Sequence, residues 1–400
     1  MGETGEGQLR ALGEENMQSK RRHAEIAGAG MAGLTAAAAL AQRGWSVRVH
    51  ERTPAMRIVG SGLSMFENAL RVMRAIGAEE DATRGAREGF ERETRDARGQ
   101  TTSHLRYATR MFEITREQVV RALAMAAERS GVEIVTGSMA VDVDPRGVLV
   151  LEDGKRCTAD LVIAADGVNS RLRDALGIPT KRRWLKDGAI RTMTPRLHDE
   201  LVHPDAKKNI EYWSGQRRIL VAPCSDTELY VALTALDSDE GAKRIPLDHE
   251  LWIRSFPCLE SVIRRLTGDA RWDRFQTVKM ARWSKGHVAV LGDAANAMAP
   301  NLGQGGACAM MNGLGLAVTL DAVADIPTAL EAWETKERPI TDHTQDYSTF
   351  YSELTTWPET MRSLAFWLIS RSTLLRGRHL KTARHIPTGT EQLESRAVTA

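Results

Sequence analysis

The stretch A-E-I-A-G-A-G-M-A-G-L-T-A-A-A-A-L-A-Q-R-G-W-S-V-R-V-H-E, residues 24–51, decides the fold. A short apolar run, 24–27, leads into Gly28, Gly30 and Gly33. An alanine-rich segment, 34–43, has strong helix propensity and stops at Gly44. An alternating run, 45–50, then ends on Glu51. Strand, glycine turn, helix, strand, carboxylate is the order of a dinucleotide-binding βαβ unit. Gly28 permits the tight turn, Gly30 lets the backbone approach a pyrophosphate, and Gly33 lets helix and strand pack closely. The helix N-terminus adds free amides and a positive dipole end. Glu51 falls where a carboxylate accepts hydrogen bonds from a ribose diol. Glycines punctuate any turn, so the flanking strands and the acid at its offset carry the reading.

The chain as a whole sets bounds on everything else. Its 400 residues allow two or three structural units with a large core, and 42% hydrophobic with 26% charged residues is an ordinary globular balance. A net charge of +2 gives no case for nucleic acid or an anionic membrane. Cys157, Cys224, Cys258 and Cys308 are scattered without a C-x-x-C pair, which speaks against a disulfide framework or a zinc site and for a reducing compartment. No H-E-x-x-H occurs, and His198 and His203 are spaced off a common helix face. Residues 1–22 are polar with no apolar core, so they read as a disordered tail and no secretory signal. The apolar run 364–369 is too short to span a bilayer. A cytoplasmic protein is expected.

Further along, residues 63–76 suggest a helix stopping at Gly77, and 79–100 an exposed strand or loop. Thr115-Arg116-Glu117-Gln118 reads as a capping box opening a helix that ends at Gly131. Arg116 sits in its first turn against the dipole, so it is a surface residue or a phosphate partner. Residues 132–135 and 147–152 read as strands of a small sheet, and 160–165 as a buried strand ending in Asp166-Gly167. That acid is either an N-cap or a ligand group at a strand's carboxyl end. From 181 to 281 the alternating runs 188–193, 209–213, 218–223 and 228–236 describe an antiparallel sheet inserted between parts of the nucleotide domain. Arg191, Arg218 and Tyr230 lie in its strands and could meet an acidic aromatic compound, or be ordinary salt-bridged residues.

A buried strand, 287–291, runs into G-D-A-A-N-A-M-A-P-N-L-G-Q-G-G, residues 292–306. Asp293 closes the strand, Pro300 shapes a turn, and Gly303, Gln304, Gly305 and Gly306 open a long helix toward Val323. Glycines there weaken a helix, so amides aimed at a ligand edge explain them better. The three motifs together, in this order, resemble the single-component (class A) flavin-dependent aromatic monooxygenases, the para-hydroxybenzoate hydroxylase-like group. The likeness covers about 22 to 342. Within that group K-D-G-A-I-R (186–191), R-I-L-V-A-P-C (218–224), E-L-Y (228–230) and W-E-T-K-E-R-P-I-T-D (333–342) are similar to the hydroxypyridine-carboxylate oxygenases.

The resemblance implies an α/β, Rossmann-like FAD-binding domain of the GR2 type in three pieces (23–77, 105–180 and 282–342). A β-sheet substrate domain (78–104 and 181–281) is inserted in it, and a C-terminal helical segment (343–400) follows. It implies bound FAD, transient NADH or NADPH, dioxygen and a small aromatic acid substrate. The cofactor would be held by Gly28, Gly30, Met31, Ala32, Gly33, Glu51, Arg52, Arg116, Asp166, Gly167, Gly292, Asp293, Pro300 and Gly303–Gly306, including Gln304 and Gly305. Arg218 would anchor a carboxylate, Tyr230 would bond a ring substituent, and Pro300 would wall the reacting face. The implied reaction is hydroxylation of a hydroxylated aromatic or pyridine acid through a flavin C4a-hydroperoxide. Ring opening of a 3-hydroxypyridine carboxylate is the related alternative, and a flavin-binding redox sensor the alternative of another class. Asn296 stands where many of these enzymes have histidine, and Ser64, Trp272 and Phe90 stand where the pyridine oxygenase has pocket tyrosines. The C-terminal segment packs over the flavin domain or forms a homodimer contact; the residues leave both open.

Overall fold

A computed structural model describes residues 21–56, 61–267 and 271–394. The expected tail lies outside them up to residue 20, as does the side chain of Phe90. Arg21 and Arg22 are held, donating to the carbonyls of Gly44 and Ala324 at 2.8 Å each.

The alanine-rich run forms the helix Met31–Ala41, in which every residue from Ala32 to Ala41 is buried. Small side chains on all faces suit a helix covered on all sides. The helix Gly305–Ala322 crosses it so closely that a Cβ on Gly313 would come within 3.1 Å of the Ala32 carbonyl oxygen and the Ala36 nitrogen. On the sheet side, Gly33 leaves no room at all: a Cβ there would stand 2.1 Å from the Gly28 oxygen.

Beneath this layer is a six-stranded sheet in the order Ser284–Lys285, Val288–Val290, Leu161–Ala164, His23–Ala27, Ser46–Glu51, Glu133–Thr136. All its pairings are parallel except the short edge strand. Leu161–Ala164 and Val288–Val290 are buried throughout, as continuous apolar runs inside a doubly covered sheet should be. Glu133–Thr136 completes this sheet, whereas the sequence suggested a small separate one. The separate sheet instead pairs Val148–Leu151 with Ala140–Asp144 and Arg156–Thr158.

The second large sheet has eight strands, in the order Trp272–Met280, Thr180–Pro195, Glu228–Leu236, Arg217–Pro223, Lys208–Ser214, Arg87–Asp96, Thr101–Thr115, Gly62–Phe66. The four alternating runs of the 181–281 region all lie in it. One pairing, Lys208–Ser214 with Arg87–Asp96, is parallel. Two strands come from segments assigned by sequence to the nucleotide domain. Gly62–Phe66 was expected to open a helix, but it pairs with Thr101–Thr115, and only Glu67–Ala75 is helical. Helix Arg116–Arg129 begins at the expected cap: Thr115 accepts from the Gln118 amide at 3.2 Å. The reciprocal half of the box is missing, because the Gln118 side chain donates to the Arg84 carbonyl instead.

Helix Ile326–Glu353 runs from the nucleotide region across to the second sheet. Gln345 Nε2 donates to the carbonyls of Val278 and Ala297 at 2.8 Å each, and Ser348 Oγ to that of Ala299. Asn301 Nδ2 returns a bond to the Ser348 carbonyl. The C-terminal part therefore braces the Pro300 loop from behind. No helix among the described residues is long and apolar enough to cross a membrane.

Candidate active site

Register brings the separated motifs together. Ala27 is level with Ala164 on one side and His50 on the other, and Ala164 is level with Val290. The next residues, Gly28, Ala165, Glu51 and Leu291, thus emerge side by side at the carboxyl edge of four neighbouring parallel strands. Three backbone bonds lock the row: Gly28 N to the His50 oxygen, Ala165 N to that of Ala27, and Leu291 N to that of Ala164, at 2.8, 2.8 and 2.9 Å. Ligands bind at such edges in doubly wound sheets.

One cleft of about 280 Å³ opens there, between the strand ends and the eight-stranded sheet. Gly30, Met31 and Ala32 line it from the first motif, Gly167 from the second, and Gly292, Asp293, Pro300, Gly303, Gly305 and Gly306 from the third. Arg116, Arg218 and Tyr230 also reach it. Gly28 and Gly33 do not line it; they shape the turn behind it. Gly28 has φ +106°, and a Cβ there would stand 2.3 Å from the Ala165 oxygen. Gly30 is the opposite case, with nothing within 4 Å of its Cβ position.

The polar groups at this edge suit a dinucleotide. Glu51 accepts from the Ala29 amide at 3.0 Å and from Thr53 N and Oγ1 at 3.0 and 2.8 Å, so the turn holds the carboxylate in place. Arg52 beside it is exposed and does not line the cleft. Asp166 is not the N-cap: its Oδ2 accepts from the Arg171 amide at 3.0 Å, while Oδ1 is buried without a partner. Burial raises its pKa. The N-cap of the helix Arg171–Ala175 is Ser170. Asp293 is reached by solvent through the cleft, yet the protein packed around it pushes its pKa up against the pull of Arg116 and Arg191. Gln304 is not at the cleft. Its side chain is buried and accepts from Asn68 Nδ2 at 2.9 Å. Asn296 is buried too, with Nδ2 unpartnered. The unpaired Asp166 oxygen, the open face of Gly30 and the glycine-lined helix start fit a flavin dinucleotide.

The far side of the cleft is a buried ionic cluster that the sequence did not mark. Arg218 is 4% exposed; Nη1 donates to Glu211 Oε1 at 3.1 Å and Nη2 to Asn301 Oδ1, with Asp187 3.9 Å away. Its guanidinium carbon lies 5.3 Å from the Trp213 ring centre and 5.7 Å from that of Tyr351. Only Nε lacks an acceptor. The carboxylate-anchoring role expected of Arg218 meets this obstacle: both of its terminal nitrogens are already engaged by the protein. Glu211 also accepts from Arg92 at 3.0 Å, Tyr351 OH at 2.8 Å and Trp213 Nε1 at 3.2 Å. Burial opposes its charge, but the two arginines and these bonds hold its pKa down at about 2. Arg191 pairs with Asp273 at 2.9 Å. Tyr230 lies under Gly62, whose Cβ would collide with its ring at 2.5 Å, and burial pushes its phenol up to about 12. Trp272 is not at the cleft and bonds Asp237 instead; Ser64 is at the cleft.

The sequence of residues 22–347 matches the family model of an FAD-binding domain. The chain belongs to this FAD-binding family. It is 38% identical over 88% of its length to the 2-heptyl-3-hydroxy-4(1H)-quinolone synthase of Mycobacteroides abscessus, covering 95% of that protein. It is 30% identical over 74% of its length to the 6-hydroxynicotinate 3-monooxygenase of Bordetella bronchiseptica, covering 81% of it. The tetrameric form of 2-methyl-3-hydroxypyridine-5-carboxylic acid oxygenase superposes with a TM-score of 0.84 at 38% identity, over 92% of this chain and 98% of that one. The protein is a class A flavin monooxygenase. In this monooxygenase residues of all three glycine turns line one cleft, Asp293 being the one of the three motif carboxylates among the lining residues, and the ionic cluster lies across from them.

Proposed function

We propose that this monooxygenase hydroxylates an uncharged, electron-rich N-heteroaromatic ring, a 2-alkyl-4(1H)-quinolone at C3, consuming NADH or NADPH. The observation that carries this reading is the charge balance of the substrate wall. Among the described residues there, Arg92, Arg191 and Arg218 are matched by Glu211, Asp273 and Asp187. A substrate carboxylate would have to compete with a protein carboxylate already hydrogen-bonded to each guanidinium, and a buried charge without its own partner is costly. A neutral ring meets no such penalty. Leu220, Phe275 and Met298 offer it apolar surface, and Tyr230, whose hydroxyl has no protein partner among the described residues, offers one hydrogen bond. The Mycobacteroides relative is named as a synthase of a 2-alkyl-3-hydroxy-4(1H)-quinolone, the product such a hydroxylation would give.

When bound, reduced FAD supplies the activated oxygen. The chain's own residues orient the ring, exclude water and manage protons. Glu51, Asp166 and Asp293 would hold the dinucleotide, and the amides at Gly303–Gly306 would face the isoalloxazine. A second reading, oxygenation of a hydroxypyridine carboxylate with or without ring opening, rests on the likeness to the pyridine oxygenase at the same 38% identity.

The purified holoenzyme should oxidise NADH or NADPH faster when 2-heptyl-4(1H)-quinolone is added, and put one atom from ¹⁸O₂ into a cyclic product. Stimulation by 6-hydroxynicotinate or 2-methyl-3-hydroxypyridine-5-carboxylate alone would reverse the assignment, and an acyclic product would establish ring opening. A yellow protein unmoved by all three would point to a redox sensor.

A further inference from the structure

Glu113 belongs to none of the motifs above. It lies on the strand Thr101–Thr115 directly across from Ser64, and is 2% exposed. Ser64 Oγ donates to its Oε1 at 2.5 Å, and Asn209 Nδ2 donates to the same oxygen. Ser64 and Asn209 both line the cleft, and a Cβ on Gly303 would sit 3.3 Å from the Ser64 Cβ. One hydroxyl therefore separates a buried carboxyl from the space between the FAD-binding loop and the substrate wall.

The titratable and charged groups facing Glu113 come from several strands. They are Arg87, directly across in register, and Arg92, both on Arg87–Asp96, Tyr107 on its own strand, Cys224 after Arg217–Pro223, and Tyr230 on Glu228–Leu236. The two cations are already paired, Arg87 with Asp226 and Arg92 with Glu211. Desolvation consequently outweighs the Ser64 and Asn209 bonds and lifts the Glu113 carboxyl to about 7. Such a position suits a group that takes and returns a proton at neutral pH.

We propose that Glu113, acting through the Ser64 hydroxyl, accepts and stores the proton that the substrate ring releases in this cleft. The inference deepens the quinolone reading and rests on it. The ring N–H bond breaks and its proton passes to Ser64 Oγ, while the Ser64 O–H proton passes to Glu113 Oε1. One proton leaves the substrate and one carboxylate becomes a carboxylic acid, with no change of oxidation state. The electron pair left on the ring spreads to O4 and C3, the carbon that must attack an electrophilic oxygen. With Glu113 charged, the 2.5 Å contact has Ser64 Oγ as donor, the arrangement this transfer requires. Glu113 acts at one remove, as a positioning and proton-holding residue.

Two measurements test it, on the holoenzyme and on Glu113→Gln and Ser64→Ala variants. Coupled product formation from 2-heptyl-4(1H)-quinolone should rise with pH through an apparent pKa near 7. Glu113→Gln, which keeps the shape and one oxygen able to accept from both Ser64 and Asn209, should abolish that limb and slow hydroxylation by about a hundredfold. Ser64→Ala should slow it comparably. Difference infrared spectroscopy should show a buried carboxyl titrating near pH 7 in the wild type, shifted upward in Ser64→Ala because a bond to the charged form is lost, and absent from Glu113→Gln. A pH limb retained in Glu113→Gln, or no carboxyl titrating in that range, would overturn the proposal. Should no quinolone be turned over by any form, the quinolone reading fails, and so does the role in substrate deprotonation. The infrared titration then still reports separately whether Glu113 holds a proton at neutral pH.

Discussion

Two glycines two residues apart do different work, and substitution separates them. At Gly28 a Cβ would lie 2.3 Å from a backbone oxygen, on a backbone with φ +106°. Neither neighbour can give way, so Gly28→Ala should yield little folded protein. At Gly30 the Cβ position has nothing within 4 Å and its φ is −88°. Gly30→Ala should therefore fold with a melting temperature near wild type but hold FAD at least about tenfold more weakly, because its methyl enters the cleft where the backbone must approach the pyrophosphate. Flavin absorbance after desalting, set against thermal melts of the stripped proteins, checks both halves; equal loss of folding in the two variants would refute the distinction. The spacing of these glycines was legible because a backbone demand shows directly in residue type. Glu113 was not, because an acid in M-F-E-I-T looks like any alternating strand. The usable signal was its register: Met111 and Glu113 share a face, and Met111 is fully buried.

At the scale of elements, the sequence described strands and helices well where one periodicity ran long, and poorly where pairing came from far away. The alternating runs of residues 188–236 became strands in place. Residues 63–66 carry a helical apolar pattern but have a partner strand waiting in Thr101–Thr115, and tertiary pairing won. The function of the C-terminal segment was unreadable for a similar reason. The contacts that define it, Gln345 to Val278 and Ala297, join residues far apart in the chain. These bonds make the helix Ile326–Glu353 a brace for the loop that carries Pro300. Gln345→Ala removes both donors from a buried site and should cost roughly 1–3 kcal/mol. Beyond that loss, the loop should lose its fixed place beside the strand ends of the six-stranded sheet. Thermal denaturation should show a lowered midpoint, and flavin fluorescence should report a less rigid cofactor site. A variant equally destabilised but with unchanged flavin fluorescence would confine the helix to a stabilising part.

Across the whole molecule, two buried glutamates on one sheet make opposite contributions to stability as pH changes. Glu211 is held at about 2 in the fold by Arg92, Arg218 and its hydrogen bonds, below its ordinary 4.5. Its contribution is present in full above pH 4.5 and is lost as pH falls toward 2, because the unfolded chain takes up that proton first. Glu113 is raised to about 7 from the same 4.5. The fold prefers it protonated, so its contribution is complete below pH 4.5 and drains away as pH rises through 7. The shift bounds that loss at about 3 kcal/mol. Wild-type stability should accordingly peak on the acid side of neutrality, between the two windows. Glu113→Gln, which cannot ionise, should flatten the decline between pH 5 and 8 while leaving the acid limb in place. Melting temperatures of both proteins over pH 3–9 measure this directly, without turnover. The comparison has a functional edge, since the stability forfeited at neutral pH is the strain of keeping an ionisable carboxyl beside the cleft. A Glu113→Gln protein that is more stable at pH 8 and slower at hydroxylation would show both effects arising from the one buried group. If its melting curve declines in parallel with wild type, Glu113 is not the group that titrates there.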